Sequence, residues 1–340
     1  MKLNLIVRRT APLVAVLAAS AALAACGSSS DDDSTTSASS GGGGSDLTIA
    51  MATGSASDAF YQKVREGAQE EADRLGVTLD YQASNEFTAQ DMIPVVDSLL
   101  TKRPDALAIA PADPRAMTST IRRFADADIP IVTFDSSVTD PPFDIVTQIS
   151  SNNKLGGRLA ADLLAREIDG RGQVATISTD TSNIVQYDRA RGFNEEMAAR
   201  YPDVEIVARE LVGADFPRAQ TTAQTLMTKY SDLAGYFTTC SFCTEYAAQG
   251  LQGLHKQDSV AQIGYEAGPK EIDLLRSGVL RAVVAQNPAE QGRLAVRYAV
   301  MAARGETSGI PRTVAMDPVA ITADDVDSKQ EFYYATKDSK

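Results

Sequence analysis

The strongest constraint on the fold is a pattern of strand, loop, helix and strand between Leu47 and Tyr81. Residues 47–52 form a short apolar run of strand length, and residues 53–58 are small and polar, as expected of a loop. Apolar residues then recur at three- and four-residue spacing, which places them on one face of a helix: Phe60, Tyr61, Val64, Ala68, Ala72 and Leu75. The pattern predicts one βαβ unit, the building block of a parallel sheet.

Both ends of this helix carry local signals. The Asp58 carboxylate is placed to accept hydrogen bonds from the free N–H groups of the first turn. Gly76 follows the last apolar residue, and glycine enters the left-handed conformation at a helix end at little cost. The loop before the helix lies at the carboxyl end of a strand, where open parallel sheets bind ligands. We therefore expect Asp58, Phe60 and Tyr61 to lie at a ligand site.

The same alternation of strand and helix continues as far as Ile321. It includes a predicted helix over residues 245–254 and a predicted closing strand over residues 314–321. Regular alternation of this kind indicates parallel sheets that are covered by helices on both faces. So many strands would be unusual in one open sheet. The sequence therefore predicts an α/β fold with two doubly wound parallel sheets.

The first 44 residues have the composition of an export signal and a tether. Residues 1–25 are predicted to be a signal peptide, because they have a positively charged start and an alanine-rich stretch that is short for a membrane span. The sequence LAAC that ends at Cys26 resembles a bacterial lipobox, which implies cleavage before Cys26 and a lipid on that cysteine; the alternative is an ordinary signal peptide. Residues 26–44, rich in serine, aspartate and glycine, predict a flexible linker. We expect an exported protein, lipid-anchored at the outer face of the cytoplasmic membrane.

Charge and composition exclude several classes of function. The chain has a formal net charge of −13, whereas nucleic-acid binding needs a basic surface, so no nucleic-acid partner is expected. The single histidine, His255, disfavours multi-histidine metal sites, and no G-x-S-x-G motif accompanies it as a hydrolase would require. No dinucleotide glycine fingerprint or metal-ligand cluster is visible. We expect neither an enzyme nor a bound cofactor or metal.

Seven segments carry a resemblance to a known family; in chain order they are AFYQKVREGAQEEADRLGV, DALAIAPADP, IPIVTFDS, ISSNNKLGGRLAADLL, YDRARGFNEEM, ADFPRAQT and EIDLLRSGVLRAVVAQNPAEQGRLAV. They run in family order through residues 45–321, nearly the whole chain after the tether. The chain resembles the sugar-binding type I periplasmic binding proteins, the ribose- and galactose-binding kind that supply ABC importers. The resemblance implies a monomer that binds a small solute between two lobes.

The resemblance also implies where the lobes begin and end. The N-terminal lobe would comprise residues 45–151 plus 287–315, and the C-terminal lobe residues 152–286 plus 316–323. Three crossings of the chain between the lobes would form a hinge, and closure of such a hinge around a ligand is a common transition. Residues 324–340 would form a polar C-terminal tail that either docks on the C-terminal lobe or frays.

Five candidate binding residues belong to the N-terminal lobe. Phe60 and Tyr61 match the family's aromatic pair that stacks on a sugar ring, since aromatic faces cover apolar C–H groups; the alternative is core packing. Asp58 matches a ligand position that is asparagine in ribose-like members, and capping alone is the alternative. Asp135 matches an aspartate that accepts hydrogen bonds from sugar hydroxyls, although a turn residue would also suit this strand end. Ser136 stands where ribose binders carry an arginine.

Five more candidates belong to the C-terminal lobe. Arg189 matches the family arginine that reaches the ligand, and Phe216 matches an aromatic lid residue, with core packing as the alternative. Cys240 occupies an asparagine position of the family. Glu266 stands where an aspartate is usual, so that its carboxylate reaches about one carbon further. Gln286 matches a ligand-contacting glutamine at the second crossing, where a purely structural role in the hinge is the alternative.

The motif C-x-x-C at Cys240 and Cys243 leaves several interpretations open. Outside the cell a disulfide that stiffens the loop beside the pocket is our first interpretation. Free thiols come next. A redox-active pair would need a thioredoxin-like setting, which is missing, and two cysteines without a nearby histidine make a poor metal site.

These residues indicate the chemistry of the ligand. Three carboxylates, on Asp58, Asp135 and Glu266, would face one guanidinium, on Arg189, and buried unpaired charges are costly. An anionic ligand is therefore disfavoured, and a neutral monosaccharide or polyol, or a cationic amino sugar, fits better. The resemblance implies delivery of this ligand to an ABC permease. The alternative is a receptor of the same fold that signals to a sensor kinase or chemoreceptor; a repressor would need an N-terminal helix-turn-helix, which is missing.

Overall fold

The computed structural model describes residues 47–179, 184–213 and 215–335. In chain order the strands are β1 (Thr48–Thr53), β2 (Thr78–Ala83), β3 (Ala106–Ile109), β4 (Ile131–Phe134), β5 (Thr147–Ser151), β6 (Gly172–Ser178), β7 (Val204–Leu211), β8 (Leu233–Thr238), β9 (Ala261–Tyr265), β10 (Ala282–Ala285), β11 (Thr313–Met316) and β12 (Val319–Thr322). The helices are α1 (Ala59–Leu75), α2 (Ala89–Thr101), α3 (Thr118–Ala125), α4 (Asn153–Glu167), α5 (Ile184–Arg200), α6 (Arg218–Lys229), α7 (Ser241–Gly253), α8 (Pro269–Arg276) and α9 (Pro288–Ala303).

Within the described residues the strands form two sheets of six, each of which is the centre of one lobe. The sheet of lobe one has the order β11-β5-β4-β3-β1-β2 and is parallel throughout. The sheet of lobe two has the order β12-β10-β9-β8-β6-β7, in which only the pairing of β10 with β12 is antiparallel. Central strands such as β3 and β4 are buried over their whole length, as expected of parallel strands covered on both faces. The predicted fold of two doubly wound α/β sheets is confirmed.

The described chain passes between the lobes at three places. It leaves β5 at Ser151 and enters α4, which packs against β8 and β9 of lobe two. It returns after β10 through α9, which packs against β3 and β4 of lobe one. It crosses again between β11 and β12, through Asp317 and Pro318. The single closing strand predicted over residues 314–321 is therefore wrong, because proline at this point lacks the N–H that a continuous strand needs.

The opening βαβ unit forms largely as its sequence predicts. The Asp58 carboxylate caps α1 by accepting a hydrogen bond from the backbone N–H of Phe60 at 2.9 Å, and Gly76 ends the helix in the left-handed conformation with φ of 67°. Helix α9 then packs closely on α1, because a Cβ added to Gly292 would overlap the backbone carbonyl of Val64. This contact holds the start of α1 in position relative to the second crossing.

The predicted signal peptide, Cys26 and the linker lie outside the described residues. Within the part of the chain that the structure describes, none of the helices is both long and apolar enough to cross a membrane.

Candidate functional site

A cavity of about 380 Å³ lies between the carboxyl ends of strands from both sheets. Its size is within the range of small-molecule sites in proteins, about 300–1,000 Å³. All ten residues that the sequence predicts for a ligand site line this one cavity: Asp58, Phe60, Tyr61, Asp135, Ser136, Arg189, Phe216, Cys240, Glu266 and Gln286. The structure therefore brings together residues that are up to 228 positions apart in the sequence. Their contact with a ligand stays a prediction.

Asp58 carries a perturbed carboxyl group at the lobe-one side of the cavity. Burial raises the pKa of Asp58 to about 7, against the hydrogen bond from the Phe60 N–H, which lowers it. The charges of Glu266, Asp135 and Glu245 raise this pKa further. The carboxylate thus caps α1 and faces the cavity at the same time, so the two interpretations of this residue do not exclude each other.

Asp135 follows β4 in a left-handed backbone conformation, with φ of 60°. This conformation is uncommon for residues other than glycine, although aspartate and asparagine adopt it more readily than most. Its Oδ2 accepts a hydrogen bond from the buried Tyr61 hydroxyl at 2.8 Å. Burial raises the pKa of Asp135 to about 6, and the Tyr61 hydrogen bond and the Arg189 charge oppose this rise. Ser136 donates to the carbonyl of Pro111 at 2.7 Å and so holds the loop in which Asp135 lies.

Aromatic side chains cover both sides of the cavity. Phe60 and Tyr61 are 5% and 4% exposed and also belong to the hydrophobic core, so they serve packing and cavity lining together. Tyr61 stacks on Phe87 with ring centroids 5.5 Å apart. On the lobe-two side, Phe216 lies 4.9 Å from Phe242, measured between ring centroids. Apolar ring faces opposite hydrogen-bonding groups are suited to a ligand that has C–H faces and hydroxyl edges.

Arg189 is the cation among the described residues that line the cavity, and it is 1% exposed. Its Nε donates to the Asn153 Oδ1 at 2.9 Å, and its Nη1 donates to the Thr239 carbonyl at 3.0 Å. Nη1 also donates to Glu266 Oε1 at 2.8 Å, which makes a buried ion pair. The guanidinium carbon lies 3.8 Å from the centroid of the Tyr265 ring. Charge pairing, hydrogen bonds and ring contact together offset the cost of burying this group.

Glu266 is held by more donors than any other carboxylate in the cavity. It follows β9 with φ of 81°, and four hydrogen bonds reach its two oxygens. Arg189 donates to Oε1, Gln286 Nε2 donates to Oε1 at 2.8 Å and to Oε2 at 2.9 Å, and the Tyr334 hydroxyl donates to Oε2 at 2.6 Å. An ionised carboxylate has about four acceptor positions, so the protein itself saturates this one. In contrast, the Oε1 of Gln286, a residue that lines the cavity, has no hydrogen-bond partner among the described residues.

A disulfide joins Cys240 and Cys243, with their Cα atoms 5.1 Å apart, which agrees with our first interpretation of this motif. Cys240 precedes α7, and its Sγ accepts a hydrogen bond from the Cys243 N–H at 3.1 Å. The helix therefore begins at Ser241 rather than at the predicted Glu245, because sulfur takes the capping position that serine, threonine, asparagine or aspartate usually occupies. Ser241 donates to Glu271 at 2.6 Å, and burial raises the pKa of Glu271 to about 8.

The structure places several residues at the site that the sequence does not predict there. The loop between β2 and α2 adds Glu86, Phe87 and Thr88 to the cavity lining. This loop also follows the carboxyl end of a strand of lobe one, a signal that could have indicated it. Tyr334, which holds Glu266, belongs to the polar C-terminal segment, where no periodic pattern assigns a contact. His255 lies on the exposed surface, outside the cavity.

Comparison with known proteins agrees with this architecture. The model of the family described as periplasmic binding protein domain matches residues 49–307. The ribose import binding protein of Salmonella typhimurium is 28% identical over 259 residues, which cover 76% of this chain and 86% of that protein. A solute-binding protein of an ABC transporter from Agrobacterium vitis, solved with α-D-tagatopyranose, superposes with a TM-score of 0.81 at 28% identity, covering 85% of this chain and all of that one. A sugar ABC transporter binding protein from Bacillus halodurans gives a TM-score of 0.77 at 26% identity, covering 84% and 100% of the two chains.

Proposed function

Because this chain belongs to the periplasmic binding protein family, we propose that it captures a neutral monosaccharide, a polyol or an amino sugar between its lobes and delivers it to an ABC permease. The proposal involves binding and no covalent chemistry. The relatives matched here are named for binding and import and not for catalysis.

The observation that carries this proposal is the arrangement of the cavity wall. Phe60 and Phe216 present rings from opposite lobes, while Asp58, Asp135 and Arg189 present hydrogen-bonding groups beside them. A sugar ring has two apolar faces and a rim of hydroxyl groups, so each part of such a ligand meets a matching group. Because the carboxylates outnumber the guanidinium, the wall favours donors over anions.

Lobe closure is the mechanical part of the proposal. The chain crosses between the sheets after Ser151, after Ala285 and at Asp317, and a few residues at such crossings can absorb the rotation of two lobes. A ligand that touches both lobes binds the closed form more tightly and so shifts the population toward it. The closed form would be the one that the permease recognises, and we expect the protein to act as a monomer.

The location of the protein is part of the same proposal. A lipid on Cys26 followed by the linker of residues 26–44 would hold the globular region near the outer face of the cytoplasmic membrane, within reach of a permease. Replacement of the lipid-bearing residue in Cys26→Ser should move the protein from the membrane fraction to the soluble fraction of cells that express it. Equal membrane fractions for the two forms would refute the anchor and leave the binding proposal intact.

A thermal-shift screen tests the binding proposal. The purified protein is heated with pentoses, hexoses, ketohexoses, alditols and amino sugars, including D-ribose and D-tagatose. A ligand present at about one hundred times its dissociation constant stabilises the native state by about 2.7 kcal/mol, which corresponds to a rise of several degrees for lobes of this size. A selective rise with one sugar, polyol or amino sugar supports the proposal, and a flat response over the whole panel refutes this ligand class.

Two matched variants locate the binding event. Asp135→Asn changes a cavity carboxylate, whereas Asp140→Asn changes an exposed one; both residues have a positive φ, of 60° and 44°. Asparagine tolerates this conformation about as well as aspartate, so neither variant should unfold. We expect the ligand-induced rise to fall in Asp135→Asn only. An equal fall in both variants would mean that the ligand does not bind in this cavity.

A further inference from the structure

The C-terminal segment of the described chain folds back against the ligand cavity. Two short 3-10 turns, Val326–Ser328 and Gln330–Phe332, lead to Tyr334. Asp327 pairs with Arg276 of α8 at 3.0 Å on the lobe-two side. On the lobe-one side, the carbonyl of Ala335 accepts from Lys63 of α1 at 3.2 Å. The segment therefore touches both lobes close to the crossings between them.

Tyr334 is the most deeply buried residue of this segment, with a relative exposure of 1%. Its backbone N–H donates to the carbonyl of Ala267 at 3.0 Å, directly after Glu266. Its ring meets Phe60 edge-on with centroids 5.9 Å apart. The side chain thus fills the space between a proposed stacking residue of lobe one and the carboxylate of lobe two, without lining the cavity itself.

The hydrogen bonds of the Tyr334 hydroxyl fix the direction of its proton. The hydroxyl oxygen accepts from the backbone N–H of Gln286 at 2.8 Å, so its own proton is free to be donated to Glu266 Oε2 at 2.6 Å. Burial first, and then the charge of Glu266, raise the pKa of this phenol well above its ordinary value, so it stays a donor at any physiological pH.

The hydrogen bond from Tyr334 matters for the site because it completes the set of donors around Glu266. Tyr334, Gln286 and Arg189 together occupy the acceptor positions of the Glu266 carboxylate. Glu266 can therefore influence a ligand only indirectly, through the side chains that it binds. It fixes the Gln286 amide with the nitrogen toward the carboxylate, and the Oε1 of this amide is buried without a hydrogen-bond partner among the described residues. It also fixes the guanidinium of Arg189 at the cavity wall.

We propose that Tyr334 is a positioning residue of the ligand site, which acts through Glu266 to orient Arg189 and Gln286 toward the ligand. The inference rests on the proposed function, because it assigns the C-terminal segment a role in the binding of the same ligand. Ligand selection by this protein then depends on a residue that lies after the last strand and outside both sheets.

The test compares two neighbouring tyrosines of the same segment. Tyr334→Phe removes the hydroxyl that reaches Glu266 and keeps the ring. Tyr333→Phe removes a hydroxyl that donates to the carbonyl of Val326 instead, and so controls for general loosening of the segment. Each substitution is made in the wild-type protein and in the Glu266→Gln background, and thermal unfolding is measured without sugar.

If Tyr334 acts through Glu266, the two substitutions share one interaction, and their effects on the unfolding midpoint do not add. We expect Tyr334→Phe to lower the midpoint by several degrees in the wild type and by less than half of that in the E266Q background. Tyr333→Phe should cause the same change in both backgrounds. Additive effects of Tyr334→Phe and Glu266→Gln would overturn the inference, whatever the protein binds.

Calorimetric titration with D-ribose, D-tagatose and every other compound of the panel that shifts the wild type supplies the second readout. Loss of one charge-assisted hydrogen bond that orients the site should weaken affinity about 5- to 20-fold in Tyr334→Phe, with Tyr333→Phe unchanged. Unchanged affinity in Tyr334→Phe would overturn the positioning role even if the unfolding effects are coupled. If the wild type binds nothing in the panel, the proposed function fails, and the unfolding cycle still decides whether Tyr334 acts through Glu266.

Discussion

The buried carboxyl group of Asp58 should make the stability of the protein depend on pH, and this can be measured without a ligand. Burial disfavours the charged form of its carboxyl group in the native state, so the native pKa is about 7 and the ordinary value is 3.8. In the unfolded chain the group ionises more easily, so the free energy of unfolding falls as the pH rises between these two pKa values. The contribution of Asp58 to stability is complete below about pH 4 and is lost progressively as the pH rises to about 7.

The size of this loss follows from the pKa difference. Each pKa unit corresponds to about 1.4 kcal/mol, so the full difference amounts to at most about 4 kcal/mol above pH 7. Asp58 keeps some contact with solvent in the open cavity, and solvent screening reduces such penalties. We therefore expect Asp58→Asn to raise the unfolding free energy by about 1–2 kcal/mol at pH 8. Asparagine caps a helix about as well as aspartate, so the start of α1 should survive the change.

Urea unfolding of the sugar-free protein at several pH values measures this effect. The stability difference between Asp58→Asn and wild type should be small at pH 4, grow up to about pH 7 and stay constant above it. Asp113→Asn is the matched control, because Asp113 also caps backbone N–H groups, of Arg115 and Ala116, but does not line the cavity. A difference at pH 8 that is zero or negative, or one that is equal at pH 4 and pH 8, would show that burial does not perturb this carboxyl group.

Three further predictions concern the framework of the cavity. Gly292→Ala should lower the unfolding free energy by about 1–3 kcal/mol in urea titrations, since the new methyl group overlaps the Val64 carbonyl; an unchanged midpoint would contradict the close packing of α1 and α9. Reduction of the Cys240–Cys243 disulfide should cost about 2 kcal/mol or less because the closed loop is short, measured by thermal unfolding with and without dithiothreitol; a larger loss would contradict this. Arg189→Lys should lower stability by about 1–3 kcal/mol, because lysine cannot make the forked contacts of the guanidinium, and a stability equal to wild type would refute that role.

The sequence predicts the fold well because the fold rests on local, repeated signals. Short apolar runs of strand length alternate along the chain with apolar residues at three- and four-residue spacing, and Asp58 and Gly76 mark the ends of α1 where the structure has them. The sequence predicts the start of α7 four residues too late, because a cysteine at the capping position, Cys240, is not one of the residues that usually cap a helix. Pro318 is itself a signal for the break between β11 and β12, but apolar residues on both sides of it resemble one strand, and the assignment of the two strands to separate sheets depends on partners far away in sequence.

The sequence allows the residues that line the site to be predicted, but not the hydrogen-bond partners that hold them in place. The strand pattern alone places Asp58, Phe60 and Tyr61 at a site, and the resemblance to a family implies the other seven candidates; all ten line the cavity. Their hydrogen-bond partners cannot be listed in this way, because they come from elements far away in sequence. Tyr61 is 74 positions from Asp135, and Tyr334 is 68 positions from Glu266. Long-range pairs of this kind are set by packing, which a single sequence does not reveal.

The hydrogen bond from Tyr61 also explains how the cavity can hold the Asp135 carboxylate in place without cancelling its charge. A cation beside each carboxylate would fix it in place and cancel its charge, as Arg189 does for Glu266. A phenol fixes a carboxylate by a hydrogen bond and leaves the charge, and among the described residues Tyr61 does this for Asp135 through Oδ2. The other oxygen of Asp135 keeps its acceptor positions for a ligand. We expect a wall built in this way to favour hydroxyl or ammonium donors over anions, so the group that holds each carboxylate should decide which ligand binds.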